Sequence, residues 1–218
     1  MRGFIDCIQY TMPEIEHGTL SDVVEQKLRI MLFDGALATQ QNLNEEWLAG
    51  RLGVSRTPVR EALSRMATDG LVRSEPRRGF FTRSFSDVEV REHYELLGVL
   101  EPAALAAGGV PDVPTLNRLA ALNGKIAVAA GDLQATINLD AEWHLMLLAG
   151  CRNEELLRMV RRYLERRRLF DLAYLADARN VEIAVGEHDV VLHALRRGKL
   201  ERAVDALRIH VLSAPSAR

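Results

Sequence analysis

At 218 residues the chain has room for two domains, and 48% hydrophobic with 27% charged residues is the profile of an ordinary globular protein. Its net charge of −2 excludes a uniformly basic surface, so a nucleic-acid contact would have to come from locally concentrated charge. No apolar run nears the roughly 18 residues of a membrane span, no secretion signal opens the chain, and Cys7 and Cys151 are too few for a disulfide framework, so a cytoplasmic address is expected.

Residues 1–18 lack convincing periodicity and read as a loose N-terminal arm, followed by a domain over 19–85 and another over 86–218. In the first domain a helix is predicted over Leu20 to Phe33, with Val23, Val24, Leu28 and Leu32 at core spacing. A second, about Asn44 to Leu52, is expected to bury Trp47, Leu48 and Leu52. A glycine turn (Leu52-Gly53-Val54) leads into Ser55-Arg56-Thr57-Pro58-Val59-Arg60-Glu61-Ala62-Leu63. Ser55 or Thr57 is placed to cap this third helix, and Pro58 suits its first turn. Val59, Ala62, Leu63 and Met66 form a buried stripe, while Arg56, Arg60 and Ser64, each four apart, form an outward one. Arginine's rigid fork matches either a phosphate or the O6/N7 edge of guanine. The layout is that of a helix-turn-helix whose second helix enters a major groove.

Leu71 to Arg73 and Phe80 to Arg83 read as short strands around the turn Ser74-Glu75-Pro76-Arg77-Arg78-Gly79. This is a basic wing, in which Gly79 permits close approach and Arg77 and Arg78 reach phosphates or a minor groove. From Arg51 to Arg83, eight arginines face Glu61, Asp69 and Glu75, a local net of +5 inside a chain of −2. Positive charge is concentrated where contact is expected.

From Ser84 onward the pattern is helical throughout. Six helices are predicted: Asp87 to Ala107, Pro114 to Ala130, Asp132 to Ala149, Glu154 to Tyr174, Ala178 to Arg197 and Lys199 to Ser213. The fold class is therefore mostly α, a winged helix-turn-helix followed by a helical bundle. Asp140 and His144 lie one turn apart, and His188 and His210 sit in apolar stretches of later helices. One carboxylate and three imidazoles are a sound ligand set for Zn²⁺, or for Ni²⁺, Mn²⁺ or Fe²⁺. By spacing alone, three unlinked histidines are more often core or surface residues than ligands. His193 is expected to face solvent, and His17 and His93 read as incidental.

Residues 19–83 resemble the DNA-binding domain of the GntR family of bacterial transcription regulators, most recognisably at Leu-Gly-Val-Ser-Arg-Thr-Pro-Val-Arg-Glu-Ala-Leu, 52–63. The resemblance implies that Arg56, Thr57 and Arg60 contact operator DNA, with Gly79 in the wing. Glu46 or Trp47 stands where family members often carry an arginine. Residues 86–218 resemble the FCD ligand-sensing domain of the FadR branch, in its smaller VanR-like subgroup. The matching pieces are Leu100-Glu101-Pro102-Ala103-Ala104, Asp140-Ala-Glu-Trp-His144, Glu187-His188 and Ala206-Leu207-Arg208-Ile209-His210.

That resemblance implies a divalent metal held by Asp140, His144, His188 and His210, a homodimer, and a small-molecule effector of organic-acid type. Many such regulators carry an effector-binding arginine four residues before the glutamate of the first helix; here that place is Leu97. The run Arg158, Arg161, Arg162, Arg166, Arg167, Arg168 either supplies a replacement cation, with Arg162 and Arg166 the pair to test, or forms a solvated face paired with Glu154, Glu155 and Glu165. The second reading is favoured. The class expected is a non-enzymatic, ligand-responsive transcription regulator. The alternative is an HD-type metal-dependent phosphohydrolase on a DNA-binding head, since His188-Asp189 spells that family's dipeptide.

Overall fold

The computed structural model describes residues 18–214; Cys7, His17 and nearly all of the expected N-terminal arm lie outside them. Helix α1 (Leu20–Phe33) starts at a capping box between Thr19 and Asp22, and α2 (Glu45–Leu52) at an Asn44 side chain that accepts from the Trp47 amide at 2.8 Å. Gly53, at φ 69°, ends α2 in the left-handed conformation that only glycine adopts without strain, which turns the chain into α3 (Arg56–Thr68). Ser55 occupies the N-cap position of α3 without a side-chain cap bond.

Val24, Leu28, Leu48, Val59, Leu63 and Met66 close the three-helix core as the periodicity predicts. Trp47 does not join it. It is 49% exposed, with the Arg51 guanidinium 5.4 Å from its ring centroid. An eight-residue helix presents a single stripe to its neighbours, and Leu48 and Ala49 fill it.

Strands β1 (Val72–Glu75) and β2 (Gly79–Thr82) pair antiparallel from Val72↔Thr82 to Glu75↔Gly79. The wing turn is thus tighter than expected, reduced to Pro76-Arg77-Arg78, with Arg77 at φ 63° and Gly79 at φ 91°. Six further helices follow among the described residues: α4 (Asp87–Gly108), α5 (Val113–Val128), α6 (Leu133–Leu147), α7 (Glu154–Tyr174), α8 (Ala178–Arg196) and α9 (Leu200–Ser213). The starts of the first five are set by local caps, for Ser86 with Glu89, Asp112, Asp132, Asn153 and Asp177 each accept from a first-turn amide, whereas α9 begins after Lys199 without a side-chain cap bond. Among the described residues no helix is long and apolar enough to cross a membrane.

The bundle core is built from Leu97, Leu105, Leu119, Ile126, Trp143, Val160, Val191 and Leu207, all essentially inaccessible. Gly98 brings α9 close to α4, for a Cβ there would lie 2.8 Å from Leu212 Cδ2.

Helix α7 serves three surroundings at once. Leu169 packs against both hydrophobic cores. Arg162 donates to the Thr68 carbonyl and pairs with Asp69; Glu165 pairs with Arg29 of α1; Arg166 and Arg168 lie 5.2 and 4.5 Å from the Phe85 and Phe33 rings. The expected solvated arginine face survives in part, as with exposed Arg158 paired to Glu155. Arg162, Arg166 and Arg168 lie against the winged domain, while Arg167 turns into the bundle.

His93, read from sequence as incidental, sits in the α4–α7 packing, stacked on Tyr163 at 5.0 Å with Nε2 donating to the Tyr163 carbonyl at 3.0 Å. Burial, and then the nearby Arg166 charge, push its pKa down to about 3. A histidine at about 6.5 when unfolded and about 3 when folded contributes stability that is full above pH 6.5 and is lost as pH falls towards 3. His93→Gln is therefore expected to flatten the acid limb of the stability curve by about 1 kcal/mol per pH unit below 6.5. Buried Glu101, pushed up to about 7 chiefly by burial, slopes the other way, so the comparison is wild type against variant. Parallel curves in denaturant titrations at pH 7.5 and 5.5 would contradict it.

Candidate metal centre and DNA-binding face

On α3 the buried stripe of Val59, Ala62, Leu63 and Met66 turns Arg56 and Arg60 outward, with side chains 66% and 72% exposed. Ser64, the third member of that stripe, uses its hydroxyl on the Arg60 carbonyl at 2.8 Å. The acidic residue that meets these arginines is Glu45 rather than its neighbour Glu46. The Glu45 carboxylate lies 3.6 Å from Arg56 and 3.9 Å from Arg60, where it spreads the two forks along the helix. Exposed pairs of this kind are worth at most about 1 kcal/mol, so a phosphate or base edge displaces them readily. In the wing Arg78 pairs with Glu75 at 2.5 Å and lies over the Phe81 ring, while Arg77 is exposed at the turn.

The second constellation is inside the bundle. His144 of α6, His188 of α8 and His210 of α9 are buried, and their ligand atoms lie within 4.8 Å of one another. The Nε2 atoms of His188 and His210 are 3.2 Å apart, and those of His210 and His144 3.3 Å. Two nitrogens bound to one tetrahedral zinc at about 2.0–2.1 Å stand about 3.3 Å apart, so the spacing is that of a ligand set. Asp140, one turn before His144, places its carboxylate oxygens 3.6 Å from His188 Nε2 and 3.8 Å from His144 Nε2.

Each ring is oriented from behind. His144 Nδ1 meets Glu101 Oε2 at 2.5 Å, His188 Nδ1 meets Asn123 Oδ1 at 3.0 Å, and His210 Nδ1 meets Glu187 Oε2 at 2.8 Å. Hydrogen bonds through Nδ1 leave the Nε2 lone pairs directed at the common point, as metal-binding histidines require. Trp143 stacks on His188 at 3.6 Å between centroids and fixes its plane. Burial first, then neighbouring charges, hold His144 and His188 well below the ordinary imidazole range, so both stay neutral and available. The sequence does not single out Glu101, Asn123 and Glu187 as supports. Glu101 and Glu187 stand beside or within the recognisable motifs, but Asn123 carries no local signal.

Arg167 enters the same space from α7. Its Nη2 pairs with Asp140, Nη1 lies 3.1 Å from His144 Nε2, and Nε donates to Asp171 at 3.0 Å. Burial alone would lower its pKa, but Asp171 and Asp140 outweigh it and raise the value well above the usual arginine range. Arg162 and Arg166, the pair expected from sequence as a replacement cation, face the winged domain instead, Arg162 at Thr68 and Asp69 and Arg166 beside Gly70. Leu97 is fully buried one turn before Glu101 and makes that wall apolar. Asp189, on which a phosphohydrolase reading depends, accepts from Asn123 Nδ2 at 2.9 Å, and Asn123 in turn holds His188. It supports the centre from outside.

Two family models match: bacterial regulatory proteins of the gntR family over residues 20–82, and the FCD domain over 92–213. The chain belongs to the GntR family. Among curated relatives of this GntR protein, the Nta operon transcriptional regulator of Aminobacter aminovorans is 36% identical over 135 residues, 58% of this chain and 61% of that one. A transcriptional regulator from Agrobacterium vitis is matched over 63% of its length, so the alignment spans about three fifths of each of these two relatives. An HTH-type regulator of Streptomyces ambofaciens is 31% identical over 85% of this chain and 79% of its own. Two solved structures share the fold: Escherichia coli McbR/YncC, with TM-score 0.79 at 24% identity over 92% of this chain and 97% of its own, and a Rhodococcus GntR regulator, with TM-score 0.77 at 23% identity over 90% and 96%.

Proposed function

We propose that this GntR-family, DNA-binding transcription regulator is effector-responsive, acts in the cytoplasm as a homodimer on a near-palindromic operator, and holds a divalent metal in its FCD domain. Ser55, Arg56, Thr57 and Arg60 of the third helix meet the major groove, and Arg77, Arg78 and Gly79 of the wing meet the flanking backbone. Asp140, His144, His188 and His210 hold the ion, zinc foremost, with nickel, manganese or iron(II) as alternatives. When bound, such an ion supplies positive charge and open coordination positions for a small oxyanion. The observation that carries the metal reading is the convergence of three buried Nε2 atoms, each imidazole anchored through Nδ1.

Regulation follows from α7. Arg167, braced by Asp171, reaches into the centre, while Arg162, Glu165, Arg166 and Arg168 of the same helix lie against the winged domain. A ligand that binds one arrangement of α7 better shifts the population of domain orientations and so the spacing of the two recognition helices.

Selection from a random duplex pool by the purified full chain tests the reading. A two-fold symmetric sequence is the expected product, bound with a steep salt dependence. Enrichment of asymmetric sequences would refute the dimeric reading, and no enrichment at all would refute operator recognition.

A further inference from the structure

A cavity on the outer side of α2 and α3 is lined by Glu45, Arg56, Arg60 and Arg65. Arg65 is committed to α1, where it pairs with Asp22 at 3.1 Å and with Glu25. Arg56 and Arg60 instead share the Glu45 carboxylate, which α2 presents from its first turn. The Glu45 side chain is only 16% exposed, far less than either arginine, so it stands behind their forks. Arg60 meets it through Nε, which leaves Nη1 and Nη2, the end-on fork that fits guanine O6 and N7, for another acceptor. Pairs this exposed yield to DNA, but not at equal cost. A guanine edge carries no net charge, and Arg60 can grip it end-on with Glu45 still against Nε. A phosphate draws the guanidinium into an ion pair of its own, beside a carboxylate of the same sign. Non-specific duplex is held almost wholly through phosphates, so that repulsion falls on it most.

We propose that Glu45 is a specificity-determining residue of the DNA-binding face: it positions the Arg60 fork for a guanine edge and opposes phosphate binding by Arg56 and Arg60. It touches no base and acts through the two arginines, so its role is one of positioning. The assignment rests on the base-reading role given above to the third helix. A carboxylate on a DNA-binding face then serves discrimination, because it weakens the contacts every sequence offers more than the contact one sequence offers.

Glu45→Gln in the full chain tests this, because the amide keeps the shape and removes the charge. The probes are the duplex selected by the wild-type chain and a scrambled duplex of equal length, each titrated over a salt series. On the scrambled duplex the variant is expected to bind about threefold more tightly, with a salt slope steeper by about one unit. On the selected duplex it is expected to bind about threefold more weakly, so the ratio of the two affinities falls about tenfold. Glu45→Asp restores the charge and is expected to return the scrambled affinity and slope most of the way to wild type. Selection repeated with Glu45→Gln is expected to relax the base position that Arg60→Ala relaxes. An unchanged ratio overturns the proposal, whether both affinities fall together, as a merely structural role requires, or neither moves. A lower ratio with the scrambled affinity and slope still at wild-type values overturns the opposition to phosphate. Arg60→Ala that binds the selected duplex at wild-type affinity overturns the base-reading role itself, whichever way Glu45→Gln behaves.

Discussion

His188→Ala is expected to abolish stoichiometric metal binding, with about one transition ion per chain in the wild type and next to none in the variant. His188 Nε2 lies 3.2 Å from His210 Nε2 and 3.6 Å from Asp140, so its loss removes a ligand between two others and leaves an apolar hole against Trp143. Asn123→Ala is expected to act through the same ring: without the 3.0 Å bond to Nδ1 the imidazole loses its tautomer and aim, and metal affinity falls about 10- to 100-fold. His193→Ala, exposed on the same helix, is the control and is expected to change nothing. Operator binding remains measurable in all three, because the DNA contacts rest on a separate hydrophobic core. Elemental analysis of the purified variants decides. Loss of metal in His193→Ala to the same degree as in His188→Ala, or wild-type protein without metal under metal-replete conditions, would remove the site.

The second large effect concerns DNA. Arg56→Ala and Arg60→Ala are each expected to weaken specific operator binding by about 1–3 kcal/mol, roughly fivefold to more than a hundredfold, and to relax the sequence preference. Both guanidiniums project from α3 with little holding them except Glu45, so their truncation leaves the domain core untouched. Arg77→Ala and Arg78→Ala behave differently: they weaken all duplexes alike and reduce the salt slope by about one unit each. Fluorescence anisotropy on operator and scrambled duplexes over a salt series separates the two classes. Unchanged operator affinity in both Arg56→Ala and Arg60→Ala would withdraw α3 as the reading element.

Much of this is legible along the chain because its cues are local. Thr19, Asn44, Asp112, Asp132, Asn153 and Asp177 each bond an amide two or three residues on, so the helices begin where the sequence places them. The spacing of Asp140 and His144 puts both on one helix face whatever surrounds it. Residue types at those positions offer a candidate ligand set, which the FCD resemblance singles out, and Arg56 with Arg60 offer a candidate DNA-facing stripe.

Which side chain meets which partner belongs to the tertiary structure. Arg166, Arg167 and Arg168 are adjacent in sequence and chemically identical, yet successive helical residues point about 100° apart. On α7 those directions lead to Phe85, to Asp140 and to Phe33 respectively, so one arginine enters the centre and its neighbours clasp the other domain. Asn123 and Asp189, 66 residues apart, become joint supports of His188 only when α5 packs on α8. Trp47 loses its expected burial for the same reason, since its short helix has one face to give and Leu48 takes it. Periodicity settles the direction in which a residue leaves its helix, and the packing of helices far apart in sequence settles what lies in that direction.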